Sequence, residues 1–211
     1  ATRWLCSLPA VATLVLRVWL PDRPGALGAV ASRIGAVHGD VIGIDIIERG
    51  AGRAVDELVV DLPDESLIDL LLGEVGHVEG VDVEDVRVLD GPPENTTVLA
   101  LELAASLRSA SGTDRLEQVV AAARQLLHGD WAAVVDAETG AVTTSCGDAL
   151  PADGWISAFV QGALTSSGAA DVAELAVARL GADGSALVVG RERVPLRASE
   201  REVLQLIAEL A

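Results

Sequence analysis

The sequence predicts an α+β protein built in two halves, and three observations carry that prediction. Residues 14–90 run strand, helix, strand, strand, helix, strand, and no second copy of the pattern follows. From about residue 112 the chain opens on helix-forming sequence and then alternates hairpins with helices, the mark of helices flanking an antiparallel sheet. Between the halves lies "DGPPENTT", a run of turn and breaker residues. The expected organisation is an N-terminal extension over 1–12, a first domain over 13–91, a linker with a helix start over 92–111, and a second domain over 112–211.

In the first half, "LVLRVWL" places Leu14, Leu16, Val18 and Leu20 on one strand face and Val15, Arg17 and Trp19 on the other. Leu27, Val30, Ile34 and Val37 recur at three- and four-residue spacing, the stripe of a helix lying on a sheet. "DVIGIDIIER" alternates through Ile42, Ile44 and Ile46, and after a turn at Gly50–Gly52 the run "AVDELVVDL" continues through Leu58, Val60 and Leu62. Asp64 is the expected N-cap of a second helix striped by Leu67, Leu71 and Val75. "GVDVEDVRVL" supplies the last strand.

In the second half, "TDRLEQVVAAARQLL" reads as a helix with Thr113 as its cap. "WAAVVDAETGAVTTSCG" reads as a hairpin turning at Glu138–Gly140, and "WISAFVQGAL" as a short helix. A second hairpin turns at Ala182–Gly184. The terminal amphipathic helix is capped by Ser199 or started by the break at Pro195.

Composition narrows the function classes. The net charge is −17, and all 15 basic residues are arginines. That balance argues against nucleic acid, whose phosphates need a basic face, and against anionic membranes. Only five residues are Phe or Trp and none is Tyr, so Val, Leu, Ile and Ala must build the cores. Cys6 and Cys146 stand far apart with no CxxC pair, which favours a reducing, cytoplasmic setting over a disulfide framework. Residues 4–20 are apolar enough to raise an anchor or signal segment, but Arg17 interrupts them and the first strand needs their end.

The segment "PDRPGALG", residues 21–28, leads from the first strand into the first helix. It is either strand-to-helix punctuation or a helix start kept bare for a ligand. Pro24 suits a first helical turn, and Gly25 and Gly28 hold side chains away from it. The first N–H groups of a helix lack internal acceptors and carry the positive end of its dipole, so a carboxylate fits there. Asp22 stands ready either for an ammonium group or to cap the helix.

Residues 14–90 resemble the ACT domain family, through "DRPGALGAV" after strand one, the glycine-bearing second strand "DVIGIDI", and "VEGVDVEDVRVL" into the last strand. The resemblance implies a ferredoxin-like βαββαβ domain that binds an amino acid and dimerises. It implies ligand contacts at Asp22, Arg23, Pro24, Gly25, Ala26, Leu27 and Gly28, with the N–H groups of Gly25, Ala26 and Leu27 taking the carboxylate. Ile42 and Gly43 on strand two complete the set, Gly43 allowing close approach or marking a bulge. Trp19 with Val15, Ile47 and Val59 on the face away from the helices calls for a cover, either a second copy or the second domain.

Residues 112–211 resemble a short GAF domain, through the leading helix, "WAAVVDAETGAVTTSCGD" and the ending "ALVVGRERVPLRASEREVLQLIAELA". A roadblock-like or other profilin-type module is the alternative. No ligand motif appears there. His38, His77 and His128 fall near helix ends without metal spacing, and Asp82, Glu84 and Asp85 read as a solvated face. "GRERVPLR" either binds an anion or pairs internally. Cys146 is a small packed residue or, in an enzyme, a nucleophile. No catalytic, metal or cofactor motif is present. The expectation is a non-enzymatic, homodimeric, amino-acid-sensing regulator, with a ligand-free scaffold as the alternative.

Overall fold

The structure is a computed structural model that describes residues 12–148, 150–165, 172–181 and 184–211. The chain divides between Pro93 and Glu94 into two compact units. Apart from Ala12, the N-terminal extension expected over 1–12 lies outside the described residues, as does Cys6.

The first unit is βαββαβ: β1 (Ala12–Pro21), α1 (Ala26–Ala36), β2 (Asp40–Gly50), β3 (Arg53–Leu62), α2 (Ile68–Gly76) and β4 (Asp82–Val88). Its antiparallel sheet has the order β2-β3-β1-β4, which makes β2 and β4 the edges. Strand β1 is central because its alternate residues Leu14, Leu16, Val18 and Leu20 are all buried. Leu16 stands opposite Leu58 on one side and Val86 on the other. Val30 and Ile34 of α1 and Leu71 and Val75 of α2 pack on that face with full burial, each such side chain favouring folding by about 1.5–3 kcal/mol. Asp64 accepts from the Ser66 N–H at 2.8 Å and caps a single 3₁₀ turn, Glu65–Leu67. That turn runs into α2, so the cap stands where expected and the α-helix itself begins one turn later.

The face away from the helices differs from its expected character. Val15 and Val55 are buried, and so is Arg17, which pairs with Glu57 at 2.7 Å. Trp19 is half-buried: its Nε1–H donates to Glu84 at 3.1 Å, and the Arg53 guanidinium stands 5.2 Å from its ring centroid. Arg53 also pairs with Asp82 at 2.7 Å. Of the β4 carboxylates, Glu84 is therefore a partner of this face, while Asp82 pairs with Arg53 and stays largely exposed. The edge strand β2 exposes three apolar side chains, Ile42, Ile44 and Ile46, and Leu70 of α2 and Val88 of β4 are exposed as well.

The second unit comprises α3 (Thr96–Ser106), α4 (Gly112–Leu126), β5 (Trp131–Asp136), β6 (Val142–Gly147), α5 (Asp153–Thr165), β7 (Leu175–Leu180), β8 (Ser185–Gly190) and α6 (Ala198–Leu210). Its antiparallel sheet has the order β6-β5-β8-β7. Residues 131–135 of β5 are all buried, because helices cover both faces. Ala132, Val134, Leu187 and Val189 pack with α3, α4 and α6, while Trp131, Ala133, Val135 and Val188 pack with α5. Together the two units form an α+β fold with two antiparallel sheets.

Three local expectations change here. The stretch read as a linker with a helix start holds a whole helix, α3, whose N-cap Asn95 accepts from the Val98 N–H at 3.1 Å. Ser111, not Thr113, occupies the N-cap of α4. Arg197 precedes α6, and the Glu200 side chain reaches back to accept its N–H at 2.8 Å, which leaves Ser199 inside the helix. In the first hairpin, Asp136 accepts from the N–H groups of Glu138 and Thr139, and these bonds hold its carboxyl below the usual range. Ala182 and Asp183, in the expected second turn, lie outside the described residues.

Candidate functional site at the start of the first helix

Helix α1 begins at Ala26, behind Gly25 as N-cap. Gly25 has φ +88°, a left-handed conformation that a side chain makes costly. No helix can continue backward through it. Pro24 therefore sits in the preceding turn instead of the first helical turn. That turn is fixed at both ends: the Asp22 N–H donates to Gly52 at 2.9 Å and the Arg23 N–H to Pro21 at 2.8 Å.

The helix start carries no side-chain cap. The Ala26 N–H donates to the Arg23 carbonyl at 3.3 Å, and the first helical bond runs from the Ala29 N–H to Gly25 at 2.9 Å. Ala26, expected to offer its N–H, therefore has it drawn into the turn. The N–H groups of Gly25, Leu27 and Gly28 have no acceptor among the described residues. The space where side chains would stand at Gly25 and Gly28 is open.

Charge is gathered beside this start. Asp22 does not cap the helix; its carboxylate stands 3.4 Å from Arg49 at the end of β2, and both are well exposed. Arg23 is also exposed. Asp56 on β3 is different, being only 3% exposed, and its Oδ1 has no hydrogen-bond partner among the described residues. Burial raises its carboxyl above the ordinary value, Arg49 opposes that shift, and Asp22 adds to it.

Register places Asp56 on the helix side of the sheet. It stands opposite Val18 on β1 and Ile46 on β2. Its neighbours two residues away, Ala54 and Leu58, belong to the core cluster that includes Ala26 and Val30. A bulge between Ile46 and Glu48 then brings Arg49 opposite Ala54, onto this same face. Ile44 pairs with Leu58 and shares the face as well. A shelf results on the helix side of the sheet, with Ile44 and Ile46 toward the β2 edge and Asp56 behind them.

The remaining expected residues fall elsewhere. Ile42 lies in the bulge between Val41 and Gly43. Gly43 is paired with Val59 on the other face, where an added Cβ would lie 3.1 Å from the Val59 side chain. Asp56 and Arg49 escape a reading by motif, since nothing around "VDELV" marks an acid at a core position except the interrupted apolar alternation itself.

In the second unit, the chemistry-bearing residues are occupied structurally. The Cys146 thiol donates to the Val120 carbonyl at 3.6 Å, and burial pushes its pKa up, opposite to what a nucleophile requires. Arg191 of "GRERVPLR" is buried and donates to Glu200, Val194, Leu127 and Pro195, so the internal-pairing alternative holds for it. His38 and His128 follow α1 and α4 in left-handed conformations, and His77 is the C-cap of α2. Among the described residues no cluster of three or more His, Cys, Asp or Glu could hold a metal ion. Among them, too, no helix is long and apolar enough to cross a membrane.

A family model closes the case for the first unit: residues 14–79 match the ACT domain. The N-terminal unit contains an ACT domain. No curated protein matches the chain. Among solved structures, the ACT domain of GTP pyrophosphokinase from Chlorobium tepidum is 16% identical, with 39% of this chain and 91% of that one covered and a TM-score of 0.31. The GAF domain of a protein assigned as a sensor histidine kinase from Pseudomonas syringae pv. tomato is 18% identical, covering 55% and 81%, with a TM-score of 0.35. A protein assigned as a glycine cleavage system transcriptional repressor is 10% identical, covering 95% and 91%, with a TM-score of 0.36.

Proposed function

We propose that the chain is a small-molecule-sensing regulator whose ACT domain binds an amino acid at the start of α1. The observation that carries this reading is the uncapped helix start, with free N–H groups at Leu27 and Gly28 beside the acidic pair Asp22 and Asp56. Such a start attracts a carboxylate, while the adjacent acids attract an ammonium group. A zwitterion satisfies both; a phosphate would meet the two acids unfavourably. Asp22, Arg23, Pro24, Gly25, Ala26, Leu27 and Gly28 form the loop side of the proposed site, and Ile42 and Gly43 contribute backbone from the edge strand.

Assembly is part of the proposal, and its location moves. The exposed row Ile42, Ile44 and Ile46 on the edge strand favours a second copy pairing along β2, rather than covering the Trp19 face. Ligand at the helix start would then bear on the seam and bias one dimer arrangement, which the second unit or a partner protein reads out. A setting in the cytoplasm and the absence of nucleic-acid and membrane partners complete the reading.

The test is a thermal-shift screen of the full chain against the twenty L-amino acids, followed by titration. A ligand at 100 times its Kd stabilises by about 2.7 kcal/mol. Selective stabilisation by a related group of amino acids, abolished in Asp22→Ala and Gly25→Val, is expected. A flat response at millimolar concentrations would overturn sensing and leave assembly through β2 as the role.

A further inference from the structure

Resting on that reading, we infer that Asp56 is the residue that selects for an amine: it receives the ligand's ammonium group and makes the site specific for amino acids over carboxylic acids. The argument begins with an anomaly. A carboxylate on a central strand, between the core residues Ala54 and Leu58, is 3% exposed and has an oxygen without a hydrogen-bond partner among the described residues. Buried polar atoms are nearly always bonded, and leaving one unbonded costs folding energy. An aliphatic residue would continue the alternation Leu62, Val60, Leu58 to Ala54 and pack without that cost. An acid retained there answers to something besides packing.

Its surroundings indicate what. The neighbouring charges acting on Asp56 are Arg49, which favours its ionised form, and Asp22, which opposes it. Arg49 is exposed and, among the described residues, pairs with Asp22 at 3.4 Å and not with Asp56, so it screens the acid without bonding to it. A compact ammonium on the shelf would stand between Asp22 and Asp56, and its three N–H donors match the unbonded oxygen. The same ligand's carboxylate would stand at the N–H groups of Leu27 and Gly28. The helix start alone attracts any small anion; Asp56 repels those that carry no cation. Selectivity arises because a des-amino acid leaves the buried carboxylate unpaired, the arrangement by which a polar site rejects an analogue lacking one group.

The experiment is calorimetric titration of the full chain and of Asp56→Asn with the twenty L-amino acids, each binder being compared with its des-amino carboxylic acid. The wild type is expected to prefer the amino acid at least tenfold. Asp56→Asn, nearly isosteric, is expected to lose that preference while binding the des-amino acid no worse than the wild type. Should Asp56→Asn fail to fold, the carboxyl carbon resonance of Asp56 in the wild type serves instead, and it must move as the amino acid is added. Unchanged preference in Asp56→Asn, or an unmoved resonance at saturation, overturns the role of Asp56 and leaves amino-acid binding standing. Absence of binding by all twenty to the wild type overturns both.

Discussion

Gly25 and Gly28 lie three residues apart with equally open surroundings, yet alanine should act on them with opposite sign. At Gly25 the backbone has φ +88° and ψ −12°, and nothing lies within 4 Å of where a Cβ would stand. The cost of alanine is therefore conformational alone, roughly 1–2 kcal/mol for a left-handed residue bearing a Cβ. Gly28 is inside α1, carries no positive φ, and is equally unobstructed. There alanine should stabilise by about 0.5–1 kcal/mol, since glycine is the costlier residue in a helix interior. In a unit this size each kcal/mol shifts Tm by roughly 4–8 °C. Scanning calorimetry of the full chain, following the transition of the first unit, would resolve both changes. The separation between the variants should reach about 1.5–3 kcal/mol, the sum of the two effects. A Gly25→Ala variant as stable as the wild type would refute the left-handed helix start, and the ligand geometry built on it would fall too. Under the proposed function, Gly28→Ala should also weaken amino-acid binding, being more stable but less competent.

Two further predictions concern buried charge. The Asp56 carboxyl is raised by burial, so the folded state holds its proton more tightly than the unfolded state does. Its contribution to stability is full below the unfolded value of 3.8 and is lost as pH rises through the higher folded value. Asp56→Asn should flatten that slope and, near neutral pH, stabilise the fold, because the amide carries no charge that burial penalises. Urea titrations at several pH values measure this, and a variant that retains the wild-type slope contradicts it. In the second unit, Arg191→Ala leaves Glu200 buried without its guanidinium, whose atoms now lie 2.9 and 3.1 Å from the two carboxylate oxygens. The expected loss is about 3–5 kcal/mol, read by chemical denaturation, with the double variant Arg191→Met/Glu200→Leu recovering most of it. A loss below about 1 kcal/mol would mean the pair is solvated.

The sequence discloses most readily what repeats. The stripe Val30 and Ile34, the alternation Leu14 to Leu20, and the order βαββαβ are periodic signals imposed by burial on one face, and the structure reproduces them. Helix starts were harder to place. Ser111 is set apart from Thr113, which has equally good capping chemistry, by its extended backbone, and at α6 it is Glu200 reaching back to the Arg197 N–H that displaces Ser199 from the cap. The character of the helix-distal face was hidden for another reason. Arg17 looks like a solvated interruption of β1, but its partner Glu57 comes from β3, forty residues away, through pairing in register.

Asp56 shows how such long-range pairing conceals a functional group. In "AVDELVVDL" it occupies an inward position by simple parity with Leu58, Val60 and Leu62, and the alternation therefore assigns an acid to the core. Read locally, the discrepancy is lost among the acids around it, Glu57 and Asp61. It becomes informative only when the β1–β3–β2 register sets Asp56 on the helix side of the sheet, between Val18 and Ile46. Under the proposed function, the loop motif accounts for half of a zwitterion and the interrupted alternation for the other half. A sequence that merely punctuated a strand and a helix would have no need of the second. Exchanging Asp56 for leucine therefore tests that second half alone: stability should rise while the preference for an amino acid over its des-amino acid disappears, and a leucine variant that keeps the preference would leave the acid without a role in binding.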